Sequence, residues 1–222
     1  MKKNNRVLLE IFHRFHTRGE RFFNQRELAK SCGLSVGTVN PLIARLRQLG
    51  AVEIKPLGFR LTDPKRALLY WAFDRNLPAD ITYATHAPHP VEEIERQLSG
   101  RVIFTAYSGF KRRKVGRPPA KYREVVVYGD GEMVRRTFRP REDVKPNIYV
   151  LEPDAHIKRL SEDGISPLGL IYVDLWQLGA PASRFVEVLE SRVLSPIGGI
   201  TFIAMEKMKR YGATQEGEER IA

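Results

Sequence analysis

Between Asn24 and Gly50 the chain is punctuated so regularly that few folds remain open to it. Asn24 precedes a helix-forming stretch that runs to Ser31, and Glu27 three residues later completes a capping-box-like start. Cys32-Gly33 breaks that helix. Ser35 caps the next one, which runs to Leu49 before Gly50 stops it. Val36, Val39, Leu42, Ile43, Leu46 and Leu49 lie on its expected inner face. Two short helices joined by so tight a turn cannot bury their apolar faces alone, so they need neighbours. Residues 5–17 supply one, a helix with Val7, Leu8, Ile11, Phe12 and Phe15 on a single stripe. Phe22-Phe23 is a short extended piece. Residues 51–55, the Pro56-Leu57-Gly58 turn and residues 59–61 read as a β-hairpin. Pro41 is the one discord. In a helix starting at Val36 it removes a hydrogen bond at a cost of about 3 kcal/mol. Either the helix bends there, or its regular part begins nearer Thr38.

Beyond the hairpin, Thr62-Asp63-Pro64 starts a helix over 65–75. Residues 76–90 read as a Pro- and His-rich loop with extended residues 81–83. A short helix over 91–98 follows. The pattern then predicts a strand over 101–108, a hairpin of 123–128 and 132–138 about Gly129-Asp130-Gly131, and a strand over 147–151. Helices open at Ser166-Pro167 and Ala180-Pro181. Residues 199–211 suit strand and helix equally, and 212–222 read as a frayed tail. The expected fold class is α+β, with one domain over 1–62 and a mixed α/β domain over 63–211 built on a small antiparallel sheet and packed helices.

The stretch Gln25-Arg26-Glu27-Leu28-Ala29-Lys30-Ser31-Cys32-Gly33-Leu34-Ser35-Val36-Gly37-Thr38-Val39 resembles the helix-turn-helix of bacterial and archaeal winged-helix regulators. Ala29 is small where two helices would cross, and Gly33 permits the turn. The resemblance implies a winged helix over 1–62 that binds double-stranded DNA. The outward positions then assign Thr38 and Asn40 as base-edge readers and Arg45 as a guanine or phosphate contact. Ser35 begins the recognition helix, whose first amides can meet a phosphate. Gln25 and Arg26 clamp the backbone, and Lys55 and Arg60 touch phosphate or the minor groove from the wing. Further on, Asn147-Ile148-Tyr149-Val150-Leu151-Glu152-Pro153-Asp154 and Ser166-Pro167 through Ile171-Tyr172-Val173-Asp174-Leu175 resemble the C-terminal region of AbiEi-type antitoxin regulators. Gly169 stands where that family often has Gln. This second resemblance implies repression of the protein's own operon and a nucleotidyltransferase-like toxin as partner. A free-standing regulator or a homodimer fits the same residues.

The charge supports a polyanionic partner. Residues 1–65 hold 13 Lys+Arg against 5 Asp+Glu. A second basic stretch, from Gly109 to Arg123, carries Lys111, Arg112, Arg113, Lys114, Arg117, Lys121 and Arg123 with no acid among them. Within it, Gly116-Arg117-Pro118 resembles the core of an AT-hook, a tripeptide that lies in a narrow minor groove. The stretch reads as a basic loop between strands, and Lys111, Arg112, Arg113, Lys114 and Arg117 join the expected DNA contacts. If this loop dominates, the chain is instead a general nucleic-acid or chromatin module.

Other classes find little support. Hydrophobic content of 42% and charged content of 28% are those of a soluble globular protein. No apolar run approaches the roughly 18 residues of a membrane span, and the first residues do not read as a signal peptide. The single Cys32 cannot form an internal disulfide, so a reducing cytoplasm is expected. Cys32 reads as a small buried residue, with redox sensing as the other option. His13/His16 and His86/His89 have a two-ligand spacing but no third ligand nearby, so no metal is expected. No Walker loop, G-x-S-x-G or H-E-x-x-H occurs, so neither catalysis nor a cofactor is expected. Asp174 reads as a helix-surface carboxylate. Sparing use of Asn, Gln, Cys and Met fits a thermophilic source.

Overall fold

The computed structural model describes residues 1–141 and 143–194. The first helix, α1, spans Lys3–Arg18 and ends at Gly19, whose left-handed backbone (φ 67°) lets the Gly19 N–H reach the Phe15 carbonyl and the Glu20 N–H reach that of Arg14. Strand β1 is Phe22–Asn24. Helix α2, Gln25–Cys32, is capped as the sequence suggests: the Asn24 side chain accepts from the amides of Arg26 and Glu27. Gly33 (φ 64°) ends it. Helix α3, Val36–Gln48, is capped by the Ser35 hydroxyl on the Thr38 amide. It is helical from Val36, so Pro41 lies inside it and the Gly37 carbonyl lacks its backbone donor. Gly37 is exposed, and water can satisfy that carbonyl. Leu49 does not join the inner face; it is 45% exposed beyond the helix end. Strands β2 (Val52–Lys55) and β3 (Gly58–Leu61) make the hairpin, and β1 adds to it antiparallel in the order β1-β3-β2.

Helix α4, Pro64–Asp74, begins at the expected Asp63 cap. The remaining elements are β4 (Ile81–Thr85), α5 (Val91–Leu98), β5 (Ile103–Phe104), α6 (Ala106–Arg112), β6 (Val125–Tyr128), α7 (Gly131–Thr137), β7 (Ile148–Leu151), α8 (Ala155–Leu160), α9 (Leu168–Trp176) and α10 (Ala182–Val193). Several expectations fail here. The sheet is mixed and not antiparallel: its order is β4-β7-β6-β5, and β6 runs parallel to β7. The reason lies in Val125-Val126-Val127-Tyr128, all buried, an uninterrupted apolar run suited to a central strand covered on both faces. The expected hairpin is therefore a strand and a helix. Asp130 accepts from the Glu132 amide and caps α7, which forms part of the crossover to β7. The expected strand 101–108 stops after Phe104, because Ala106, Tyr107 and Phe110 have helical spacing and are buried in α6. A Cβ on Gly109 would sit 3.0 Å from the Ile171 side chain, so α6 and α9 approach closely. Helix α8 was not expected; Asp154 caps it. Residues 199–222, with their ambiguous segment and expected tail, lie outside the described residues.

The core does not divide at residue 62. One apolar cluster runs from Val7 and Phe12 of α1 through Leu42 of α3 and Trp71 of α4 to Ile171 of α9 and Phe185 of α10. Phe12 and Trp71 stack with ring centroids 5.9 Å apart. Helix α9 packs on α1, α4, α6 and α10, which is why Gly169 to Leu175 are all buried. A Cβ on Gly169 would come within 3.0 Å of Phe12, so the helices approach closely at the position where the resembling family often has Gln. A second cluster (Ile94, Leu98, Val125, Val127, Val134, Val150) covers the other sheet face with α5 and α7. Asp174 is not on a helix surface. It is fully buried, and its carboxylate accepts from Arg75 Nε (2.9 Å), Thr105 Oγ1 (2.7 Å) and the Tyr128 hydroxyl (2.8 Å). The outer side of α4 leaves Phe73 91% exposed. None of the described helices is long and apolar enough to cross a membrane.

Candidate nucleic-acid interface

The N-terminal elements leave most of the expected contact residues exposed, on α2, on the outer side of α3 and on the hairpin. Pairing of β1 with β3 sets Phe22 opposite Arg60 and Asn24 opposite Gly58. Because Asn24 also caps α2, the first residues of α2 are fixed beside the hairpin. Gly58 is needed there: a Cβ would lie 2.2 Å from the Phe23 carbonyl oxygen. Helix α3 packs on α1 and α2 through Val39, Leu42, Ile43 and Leu46, with β2 against its C-terminal side. Its outer side presents Gly37, Asn40, Pro41, Ala44, Arg45, Arg47 and Gln48.

These side chains differ in how free they are. Arg26, Asn40 and Arg60 are exposed, and their side chains make no hydrogen bond or ion pair among the described residues. Gln25 is half-buried at the start of α2. The Ser35 and Thr38 hydroxyls lie 3.0 Å apart and bond each other at the cap, so Thr38 is already committed to its own helix. Arg45 is drawn toward α4: its interaction with Tyr70, a hydrogen bond first of all, raises its affinity for its proton. Lys55 donates to Glu53 at 2.6 Å, and Glu53 also faces Arg60 across the hairpin. An acid thus moderates the wing's charge. Lys30 was not assigned from sequence, yet it is exposed one turn after Arg26 on α2; that i, i+4 spacing was its signal.

The second basic stretch is built differently from the loop expected of it. Lys111 and Arg112 belong to α6, and Arg113 caps its end. Lys111 pairs with Glu95 at 3.0 Å. Arg112 donates to the Glu95 carbonyl and lies over the Phe104 ring, 3.8 Å from its centroid. Arg113 pairs with Glu162 at 3.0 Å and donates to the Ser166 carbonyl. The stretch has no acid of its own, but the fold supplies acids from α5 and from the turn before α9. Lys114 and Arg117 remain exposed.

Cys32 is buried beside the Arg6 carbonyl, and burial pushes its thiol up to about 12, which disfavours the reactive thiolate. His16 is buried, with Nε2 2.6 Å from the Val193 carbonyl. No group of three His, Cys, Asp or Glu able to hold a metal ion occurs among the described residues. No protein-family model, curated protein or solved structure matches the chain.

Proposed function

We propose that the chain is a DNA-binding transcriptional regulator. Its residues 1–62 would act as a winged helix, with α3 reading base edges in the major groove and the β2–β3 hairpin as the wing. One observation supports this reading: the outer side of α3 leaves Asn40 exposed and unpartnered, while Arg26 on α2 and Arg60 on β3 are exposed cations on elements that the β1–β3 pairing ties to one another. Backbone contacts from Arg26, Arg60 and Lys55 would position the helix, and Asn40 would specify sequence. Thr38 would contribute through the cap, since its hydroxyl is bonded to Ser35. Repression of its own operon fits the same geometry, with the operator in the DNA upstream of its gene.

The test is a salt-titrated binding assay on that upstream DNA and on random duplex. Asn40→Ala should narrow the gap between specific and random DNA, while Arg60→Ala should weaken both together. Equal affinity for the two duplexes at physiological salt would remove the regulator reading. A general nucleic-acid module dominated by residues 109–123 is less favoured, because Lys111, Arg112 and Arg113 are held by contacts within the chain.

A further inference from the structure

A cleft of about 830 Å³ opens between two segments that the proposed contacts of α3 and the wing do not use, residues 86–92 and residues 117–123. Its size is that of a small-molecule site. Both walls are anchored. On one side the Asn147 side chain clamps Ala87, accepting from its amide at 2.8 Å and donating to its carbonyl at 2.9 Å. His86 Nδ1 lies 3.0 Å from the Lys145 carbonyl, so that nitrogen carries a proton. On the other side Tyr122 stacks on Tyr107 with centroids 5.1 Å apart and donates to Glu95 at 2.8 Å. Tyr122 is thereby pinned, and its neighbours Lys121 and Arg123 are both exposed at the cleft.

The charges here are unbalanced. Lys111 at the cleft is answered by Glu95, and Glu92 lies 3.8 Å from the same ammonium. Arg117, Lys121 and Arg123 have no acidic partner among the described residues. Three unanswered cations facing one concavity focus a positive potential within it. Two of them are arginines, whose planar forks suit the oxygens of phosphate groups. The rest of the lining is largely apolar, with Pro88, Pro90, Pro118 and Ala120 offering flat surface to a ring.

We propose that this cleft binds a nucleoside di- or triphosphate. Arg117, Lys121 and Arg123 hold the phosphates, and the proline and alanine walls cover the base. A charge of minus three or four matches three cations, and the volume leaves room for the nucleoside. The site is separate from α3, so it stands or falls independently of DNA binding.

The experiment is isothermal titration of the full chain with ATP, GTP, ADP and GDP, with inorganic pyrophosphate and a 5′-phosphorylated oligonucleotide as the other arms. Saturable binding of at least one nucleotide is expected. It should weaken at least tenfold in Arg117→Ala/Arg123→Ala and stay unchanged in Asn40→Ala. All three positions are exposed, so circular dichroism should show the fold intact. Failure of every nucleotide to bind would overturn the proposal. So would affinity unaltered by the double variant, pyrophosphate binding as tightly as the triphosphates, or binding of the oligonucleotide alone.

Discussion

Asp174 joins parts of the chain that are far apart in sequence. Arg75 at the end of α4, Thr105 before α6 and Tyr128 at the end of β6 all converge on its carboxylate. Burial works against the Arg75 charge, but Asp174, Tyr128 and Asp80 overcome it and raise its proton affinity. Asp174→Asn leaves a buried guanidinium short of its counter-charge, and the expected cost is about 3–5 kcal/mol; urea unfolding measures it. His16 makes a different prediction. Burial is the main cause that lowers it to about 4, so it stays neutral in the fold while an unfolded histidine titrates near the ordinary value of 6.5. Between those values the unfolded state binds the extra proton, so stability falls as pH drops. From about pH 7 to about pH 5 this amounts to about 2 kcal/mol, and His16→Gln should flatten that part of the profile. Glu10 acts lower. Burial pushes it up, but hydrogen bonds from His156 and Arg14 and the charges of Arg14 and Arg159 hold it at about 2. Its contribution is lost only below its ordinary value of 4.5, so the two effects separate.

The β1–β3 pairing is the element on which the proposed DNA surface depends. Gly58→Ala would drive a methyl into the Phe23 backbone. It should cost about 1–3 kcal/mol and reduce DNA affinity, because Arg26 and Arg60 would lose their common anchor; thermal melts and binding isotherms read the two effects. Helices with local signals were legible in the sequence: the caps Asn24, Ser35 and Asp63 and the stop at Gly33 all act as their residue types suggest. The failures came where local signals compete with distant ones. Gly129-Asp130-Gly131 suits a hairpin turn, but Asp130 serves a helix because β6 needs a parallel partner across a crossover. Asp174 looks like a surface residue on a helix, and only the fold reveals three donors arriving from elsewhere. The proposed DNA contacts were legible as positions but not as availability. Nothing in the sequence shows that Thr38 bonds Ser35, or that Glu95 and Glu162 answer Lys111 and Arg113.

The formal +11 of the whole chain does not set the salt dependence of the proposed DNA binding; the number of phosphates actually contacted does. Each phosphate neutralised adds about 0.9 to the slope of log affinity against log salt. Arg26→Ala and Arg60→Ala should each reduce the slope by about that much. Lys111→Ala and Arg113→Ala should leave it unchanged, because their partners lie within the chain; a reduced slope in either would place DNA on the second basic stretch. Measuring this demands an intact polypeptide. Helix α1 has α2 and α3 on one side and α9 on the other, with Gly169 against Phe12. A fragment cut at residue 62 would carry a bare greasy strip of phenylalanine and histidine, and would be expected to clump in solution. What reads as a detachable head is wedged into its own body, because the helix that supports α3 also packs against α9.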